Sequence, residues 1–274
     1  MIISSHTIHH GEEPIISGTN GSGTIFFGNC NLSCTYCQNF QISQNIDYDK
    51  HKKSSVNDLV KIMLQLQSND AHNINLVSPT HFVHHIAEGI YYAKKQGLNI
   101  PIVYNSNGYE NVEILELLEG LVDIYLPDIK YSSSAMAEKY SEAKDYVHFN
   151  KLAIKEMYRQ TGEIKIDSPT QVAHKGTIVR HLVLPNNISG TDKVMDFIAD
   201  EVSTNLHVSL MSQYYPTNKS TNDIDLNRYI LPQEYEKALI AFESSGLKNG
   251  WIQELQSHQS FRPDFNKDKP FNNE

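Results

Sequence analysis

The feature that most limits the fold is the alternation of short apolar runs with longer amphipathic stretches. The runs have strand length and cover residues 24–27, 74–77, 100–104, 122–126, 177–184 and 208–211. Between them apolar residues recur at helical spacing, as after the capping sequence Ser55-Val-Asn-Asp58. Strands separated by helices pair in parallel through right-handed crossovers. About six such units predict an α/β fold, a partial (β/α)6 TIM-type barrel with parallel strands, because a full barrel needs eight.

The chain shows no linker or charge run that would divide this pattern. We therefore expect an extended N-terminal lead-in at residues 1–22, one partial-barrel domain at 23–260 and a C-terminal tail at 261–274. Glycines at 18, 21 and 23 come before the first predicted strand, whereas a dinucleotide-binding loop follows a strand, so they do not indicate a nucleotide site.

Charge and hydropathy exclude two classes of partner. The net charge of −9 argues against a nucleic-acid partner, since phosphate binding needs clustered Lys and Arg. No stretch approaches the roughly 18 apolar residues of a membrane span, and the first residues lack a signal-peptide pattern. We expect a cytoplasmic protein with no membrane partner.

All three cysteines of the chain lie within eight residues, as Cys30, Cys34 and Cys37, just after the first predicted strand. Thiolates are strong ligands for iron and other soft metals, and this spacing lets one loop turn all three inward. Three protein ligands on a cluster of four irons leave one iron open to a small molecule. The alternative is a non-catalytic module in which the cysteines and a histidine hold structural zinc.

Polar residues follow the predicted strands at the end where α/β folds carry their functional groups. The sets are Ser78-Pro-Thr80-His81, Asn105-Ser-Asn107-Gly108, Pro127-Asp128-Ile-Lys130 and Ser212-Gln213-Tyr214. We expect them to meet the cysteine loop on one rim, which favours a catalytic cluster. Arg180 and His181 lie inside a strand, so one of the two should face the interior.

The cysteine motif, with Tyr36 before its last cysteine, resembles the radical S-adenosylmethionine superfamily. Residues 11–265 are similar to the branch of pyruvate formate-lyase activating enzymes, through the sets above and through Arg-His-Leu-Val-Leu-Pro and Met-Ser-Gln-Tyr-Tyr-Pro. The resemblance implies that Cys30, Cys34 and Cys37 hold a [4Fe–4S] cluster whose open iron binds S-adenosylmethionine. Reductive cleavage of that cofactor would give a 5′-deoxyadenosyl radical, which takes hydrogen from a substrate.

The resemblance also implies roles for the strand-end residues. Asp128 and Lys130 match a pair beside the cofactor and the path of the radical, so they are the expected catalytic residues. His181 and Tyr214 are expected to face substrate. The expected cofactor contacts, besides that pair, are Tyr36, Asn39, Ser78, Thr80, His81, Asn105, Asn107, Arg180 and Gln213.

The implied partners follow from this chemistry. The substrate would be a glycyl-radical-type partner protein that the enzyme activates, or a small metabolite or peptide that it modifies directly. A reductant such as flavodoxin or ferredoxin would supply the electron.

Overall fold

A computed structural model describes residues 1–51, 53–257, 262–267 and 270–271. Its centre is a mostly parallel sheet with the strand order β1-β2-β3-β4-β5-β7-β8-β9, in which β6 pairs only with β7. The strands are β1 Ile3–His9, β2 Ser22–Phe27, β3 Ile74–Val77, β4 Ile102–Ser106, β5 Ile124–Pro127, β6 Lys165–Ile166, β7 Ala173–Leu182, β8 His207–Met211 and β9 Asn249–Ile252. The sheet is open, with β1 and β9 at its edges, so the predicted α/β partial barrel is confirmed.

The helices cover the outer face of this sheet. They are α1 Pro14–Ser17, α2 Phe40–Ser43, α3 Val56–Ser68, α4 Val83–Lys95, α5 Val112–Glu116, α6 Ser134–Ser141, α7 Tyr146–Thr161, α8 Thr191–Glu201 and α9 Pro232–Ser244. The α3 helix begins at a capping box in which Ser55 and Asp58 bond each other's backbone N–H. Its buried face, including Leu59 and Met63, packs with Ile25 and Leu76 of the sheet. No helix in the described ranges is long and apolar enough to cross a membrane.

Two edge strands were not predicted. The β1 strand pairs antiparallel with β2, so the cysteine loop follows the first strand of the parallel series but the second strand of the chain. The β9 strand pairs with β8 in parallel. Both edge strands mix polar with apolar residues and lack an apolar run, so no local sequence pattern marks them, and each is defined by its pairing with the neighbouring strand.

The barrel interior is apolar at its base and polar at its mouth. Ile16 of α1 closes the base against Val103, Leu126 and Ile178 of three strands. In the tail, Phe265 packs on Phe26 with ring centroids 5.2 Å apart. Residues 258–261, 268–269 and 272–274, which include part of the predicted tail, lie outside the described residues.

Candidate active site

A cavity of about 520 Å³ opens where the parallel strands end. Its volume is within the range of about 300–1,000 Å³ that is usual for small-molecule sites. The cysteine loop forms one wall, and polar residues from β3, β4, β5, β7 and β8 form the others. Residues predicted for the site that line it are Cys30, Cys34, Tyr36, Cys37, Asn39, Ser78, Asn105, Asn107, Asp128, Lys130, Arg180 and Gln213.

The three cysteines are free thiols that all line this cavity. Their loop is fixed to α6, because the Ser33 and Thr35 N–H groups donate to the carbonyls of Ser141 and Tyr140 at 3.2 and 2.8 Å. Just before it, Asn29 has a left-handed backbone with φ 68°, which turns the chain out of β2 and into the loop.

Each sulfur has a polar neighbour. Ser141 Oγ donates to Cys34 Sγ at 3.0 Å, Asn107 Nδ2 donates to Cys30 Sγ at 3.4 Å, and Ser43 Oγ lies 3.1 Å from Cys37 Sγ. Burial raises the pKa of Cys34 to about 12, although the nearby Lys130 ammonium opposes this. Such thiols remain protonated without metal, and once ionised their sulfurs can accept hydrogen bonds from these polar neighbours. This setting suits cationic irons, because metal ligation requires the thiolate.

The arrangement of the sulfurs also bears on nuclearity. Among the residues that the structure describes, no group of three or more His, Cys, Asp or Glu side chains could hold one metal ion. A mononuclear zinc site needs such a group. In a [4Fe–4S] cluster each thiolate binds a different iron, so three thiols around a cavity fit a cluster.

Asp128 and Lys130 form an ion pair on the cavity wall, with Lys130 Nζ 2.6 Å from Asp128 Oδ2. Burial lowers the pKa of Lys130, but the charges of Asp128 and of the Cys34 thiolate outweigh it, and the pKa is raised. The lysine therefore stays an ammonium facing the sulfurs.

The α7 helix positions this pair from behind. Tyr146 Oη accepts from the Lys130 N–H and donates to the Asn107 carbonyl, both at 2.9 Å. Asn150 Nδ2 donates to the carbonyls of Gly108 and Asp128 at 3.1 and 2.9 Å. Gly108 has φ 72°, and a Cβ there would lie 2.3 Å from the Asp128 carbonyl oxygen. Only glycine allows the two strand ends to approach so closely.

The remaining predicted cofactor contacts at the cavity are polar or aromatic. Ser78, with φ 55°, donates its N–H to the Asn105 carbonyl at 2.9 Å and so joins β3 to β4 at the rim. Tyr36 packs edge-on against Tyr131 at a centroid distance of 6.4 Å. Gln213 accepts a hydrogen bond from Gln253 at 3.0 Å. Asn39 precedes α2 without capping it, so its side chain is not used by the helix.

Thr80 and His81 do not line the cavity, which corrects the expectation that they meet the cofactor. Thr80 Oγ1 donates to Glu110 Oε1 at 2.6 Å, and His81 Nε2 lies 2.8 Å from the Gly28 carbonyl oxygen. A short 3-10 turn at Thr80–Phe82 carries both away from the strand end. His81 thus contacts the start of the cysteine loop, whereas Thr80 is bonded to Glu110.

His181 and Tyr214 were expected to face substrate, and the structure places both in the core. Arg180 faces the cavity, so strand alternation turns His181 toward α8, where Nδ1 lies 2.7 Å from the Ile129 carbonyl oxygen. His181 Nε2 lies 2.9 Å from Thr191 Oγ1, and burial lowers the pKa of His181 to about 4. Tyr214 Oη donates to the Leu226 carbonyl at 2.6 Å.

Glu12 and Glu13 were not predicted as site residues, but both line the cavity beside Arg180. Arg180 Nε donates to Glu13 Oε1 at 2.8 Å, and its Nη2 contacts both carboxylates. The guanidinium therefore has no two adjacent nitrogens free to bind a cofactor carboxylate through two hydrogen bonds, which is the cofactor contact expected of Arg180. One signal was available: these glutamates are the only Asp, Glu, Lys or Arg residues among positions 1–46.

Glu110 was also missed. It is 2 % exposed, receives the hydroxyls of Thr80 and Tyr104, and lies behind the rim. Burial raises the pKa of Glu110 to about 7, against the effect of these hydrogen bonds.

A partial barrel that presents three free cysteines and an Asp–Lys pair to one cavity defines a cluster-binding enzyme class. Residues 24–160 match the model of the Radical SAM superfamily, and the chain belongs to that superfamily. Members use a [4Fe–4S] cluster and S-adenosylmethionine, and they carry out radical chemistry by cleaving that cofactor.

The chain is 34% identical over 255 residues to the uncharacterized protein MJ0674 of Methanocaldococcus jannaschii, covering 89% of this chain and 68% of the relative. Two crystal structures share its fold. HydG, a maturase of the [FeFe]-hydrogenase, has a TM-score of 0.53 and 12% identity over 84% of this chain. SuiB of Streptococcus suis, bound to the precursor peptide SuiA, has a TM-score of 0.56 and 11% identity over 84%. This chain spans 50% and 48% of those two chains.

Proposed function

We propose that the chain is a radical oxidoreductase that binds its cluster at Cys30, Cys34 and Cys37 and takes hydrogen from a substrate in the same cavity. The observation that carries this is one cavity lined both by three free thiols and by the partly buried Asp128–Lys130 pair. When bound, the cluster supplies the electron that cleaves S-adenosylmethionine to a 5′-deoxyadenosyl radical.

The protein's own residues orient the cofactor and exclude water. Lys130 holds a positive charge beside the thiolates, and its pairing with Asp128 fixes the ammonium in place. Asn105 offers its amide to a ribose or carboxylate from β4, while Asn107, just beyond that strand, uses its amide to donate to Cys30 Sγ. Tyr36, 5 % exposed, shields the loop side with its ring.

The more specific activity is hydrogen abstraction from a glycine Cα of a partner protein, as in activating enzymes. Its support is the likeness of Asp128-x-Lys130 to the pair of that branch. A second candidate, modification of a small metabolite or peptide, is favoured by the charged Glu12, Glu13 and Arg180 in the cavity, which a glycine Cα does not require. Either activity would take electrons from flavodoxin or ferredoxin in the cytoplasm.

Anaerobic reconstitution tests the core of the proposal. The protein should take up four irons and four sulfides per chain, about what one cubane requires. With dithionite and S-adenosylmethionine it should then release 5′-deoxyadenosine. A cluster-loaded, reduced protein that releases none would refute the radical function, and stoichiometric zinc without sulfide would favour the binding module.

The role of Lys130 is tested by Lys130→Met, with Lys139→Met as control because the Lys139 side chain is 52% exposed. We expect Lys130→Met to keep its iron but to release 5′-deoxyadenosine about 10- to 100-fold more slowly, the cost of one preorganised charge. Equal rates in both variants would remove Lys130 from the site.

The two substrate classes are separated by isotope transfer. Candidates deuterated at one position are incubated with the holoenzyme, and 5′-deoxyadenosine is analysed by mass spectrometry. Deuterium arriving from a glycine Cα of a partner protein supports the activating type, and deuterium arriving from a metabolite or free peptide supports direct modification.

A further inference from the structure

We infer that the substrate carries a cationic nitrogen group, a primary ammonium or guanidinium, which the Glu12 carboxylate receives in the cavity. The inference rests on the proposed function for the location of the substrate, and it adds the chemical class. It is drawn from the cluster formed by Glu12, Glu13 and Arg180, which we call the floor cluster.

The floor cluster contains one more negative charge than positive. Arg180 binds Glu13 through two atoms, Nε at 2.8 Å and Nη2 at 2.5 Å, which is the bidentate geometry of a complete ion pair. Glu12 shares only Nη2 of the same guanidinium and receives one further bond, from Asn75 Nδ2 at 2.8 Å. The excess charge therefore belongs to Glu12, whose side chain is only 8% exposed.

The carboxylate and amide oxygens of this cluster have unused acceptor capacity. A carboxylate has about four lone-pair sites, and Glu12 uses two of them. Asn75 Oδ1 is buried without a hydrogen-bond partner, although the same amide donates to Glu12. Asn75 lies on the same face of β3 as Val77, which lines the cavity. Buried acceptors of this kind are satisfied by a ligand that brings N–H groups.

Among the described residues that line the cavity, no Lys or Arg side chain is left unpaired to bind an anionic substrate. Lys130 is paired with Asp128 at 2.6 Å, and Arg180 is shared between two carboxylates. The three cysteine ligands add negative charge once ionised. In a buried site, where charges interact strongly, a substrate carboxylate or phosphate would be repelled.

An aromatic wall stands next to the floor cluster. Ser209, which lies near Glu13, is the register partner of Trp251, and both Ser209 and Trp251 line the cavity. A carboxylate beside an indole ring is a favourable setting for an ammonium or guanidinium. The cavity of about 520 Å³ must hold the drug-sized S-adenosylmethionine as well as the substrate. The space that remains therefore suits a slender amine or a Lys or Arg side chain.

The test is a charge series on the anaerobically reconstituted holoenzyme saturated with S-adenosylmethionine and kept without reductant. Isothermal titration calorimetry measures the binding of n-butylammonium, n-butylguanidinium, n-butanol and n-butyrate, which differ mainly in the head group. We expect the two cations to bind at least about tenfold more tightly than butanol, with butyrate weakest, since a charge-assisted hydrogen bond contributes this much. Butyrate binding as tightly as the cations, or cations no tighter than butanol, would overturn the inference.

A variant locates the effect. Glu12→Gln keeps the shape but removes the excess charge, so the preference for butylammonium over butanol should fall about tenfold. Glu236→Gln, an exposed position of α9, makes the same chemical change and should leave the preference unaltered. If Glu12→Gln binds butylammonium as the parent does, Glu12 is not the receptor. If it does not fold, the charge series on the parent protein still decides.

Two further measurements separate the possible failures. The capped peptide acetyl-Gly-Lys-Gly-amide added to the series shows whether a side chain on a peptide binds as well as a free amine; binding of either supports the inference. Release of 5′-deoxyadenosine by the parent protein, measured separately with dithionite, tests the proposed function alone. A protein that releases it but shows no cation preference retains the function and loses the inference.

Discussion

The cysteine loop and the floor cluster occupy the same cavity but are built in opposite ways. The loop takes its three thiols from eight consecutive residues, and each thiol is free. The floor cluster joins Glu12 and Glu13 to Arg180, 168 and 167 positions away, and its one cation is already shared between the two carboxylates. We therefore expect loss of a cysteine side chain to leave the fold intact, whereas the floor cluster stabilises the fold by joining distant parts of the chain.

The largest effect is expected at the loop, and on activity alone. Cys34→Ala should leave the protein folded but unable to retain its cluster, because two thiolates remain where three are needed. Iron and sulfide content and 5′-deoxyadenosine release should both fall to background, with the far-ultraviolet circular dichroism unchanged. Ser33→Ala, in the same loop, should keep its iron. A Cys34→Ala protein that retains iron, sulfide and activity would contradict the assignment of the ligands.

At the floor cluster the corresponding effect is on stability. Arg180→Met leaves two buried carboxylates without their cation, which should lower the free energy of unfolding by about 3–5 kcal/mol. Arg159→Met is the matched control, since Arg159 also binds two glutamates, Glu119 and Glu156, but its side chain is 53% exposed. It should change the urea midpoint little. Similar midpoint losses in both variants would show that burial is not what distinguishes the floor cluster.

The same contrast explains what the sequence could predict. The cysteine triplet and the parallel strands follow from local spacing and strand periodicity, and Asp128 and Lys130 were expected at the rim because they follow a predicted strand. The structure has the three cysteines and this pair at the cavity. The floor cluster forms only because β7 lies next to the predicted lead-in, residues 1–22. No local sequence pattern predicts that placement. The edge strand β1 was missed for the same reason.

Predicted contacts failed where a short turn intervened or a side chain faced outward. Thr80 and His81 belong to a 3-10 turn that diverts them from the rim. The sequence predicted that either Arg180 or His181 would face inward, and the structure confirms that alternation, with Arg180 inward. Choosing which of two adjacent residues faces the cavity needs the strand register, which becomes known only when the sheet is assembled.

A smaller, pH-dependent effect is expected behind the rim, where Glu110 accepts hydrogen bonds from Thr80 and Tyr104. Burial raises the pKa of Glu110 from 4.5 to about 7, so between these pH values the folded protein binds more protons than the unfolded chain. The free energy of unfolding should therefore fall as pH rises through this window, by about 3 kcal/mol in all.

Urea titrations of the apoprotein at pH 5, 6, 7 and 8 measure this slope. The decline should be shallower by that amount in Glu110→Gln, which cannot ionise, and unchanged in Glu116→Gln, an exposed position of α5. Parallel pH profiles for the parent and Glu110→Gln would mean that Glu110 is ionised throughout and that the floor cluster is not the only buried anionic site.

The smallest expected effect returns to the loop and concerns electron transfer. Ser141 Oγ lies 3.0 Å from Cys34 Sγ and 2.7 Å from Tyr131 Oη, so it can donate to the sulfur while accepting from the tyrosine. Hydrogen bonds to cluster sulfurs stabilise the reduced, more negative state and raise the reduction potential. Ser141→Ala should therefore shift the potential to a more negative value while iron content stays complete, as followed by potentiometric titration with electron paramagnetic resonance. Ser33→Ala, whose main-chain N–H contact with Ser141 is retained, provides the baseline. A potential that is unchanged or more positive in Ser141→Ala would mean that the loop holds the cluster through its thiolates alone. The loop would then act through three single side chains, whereas the floor cluster acts through contacts between side chains.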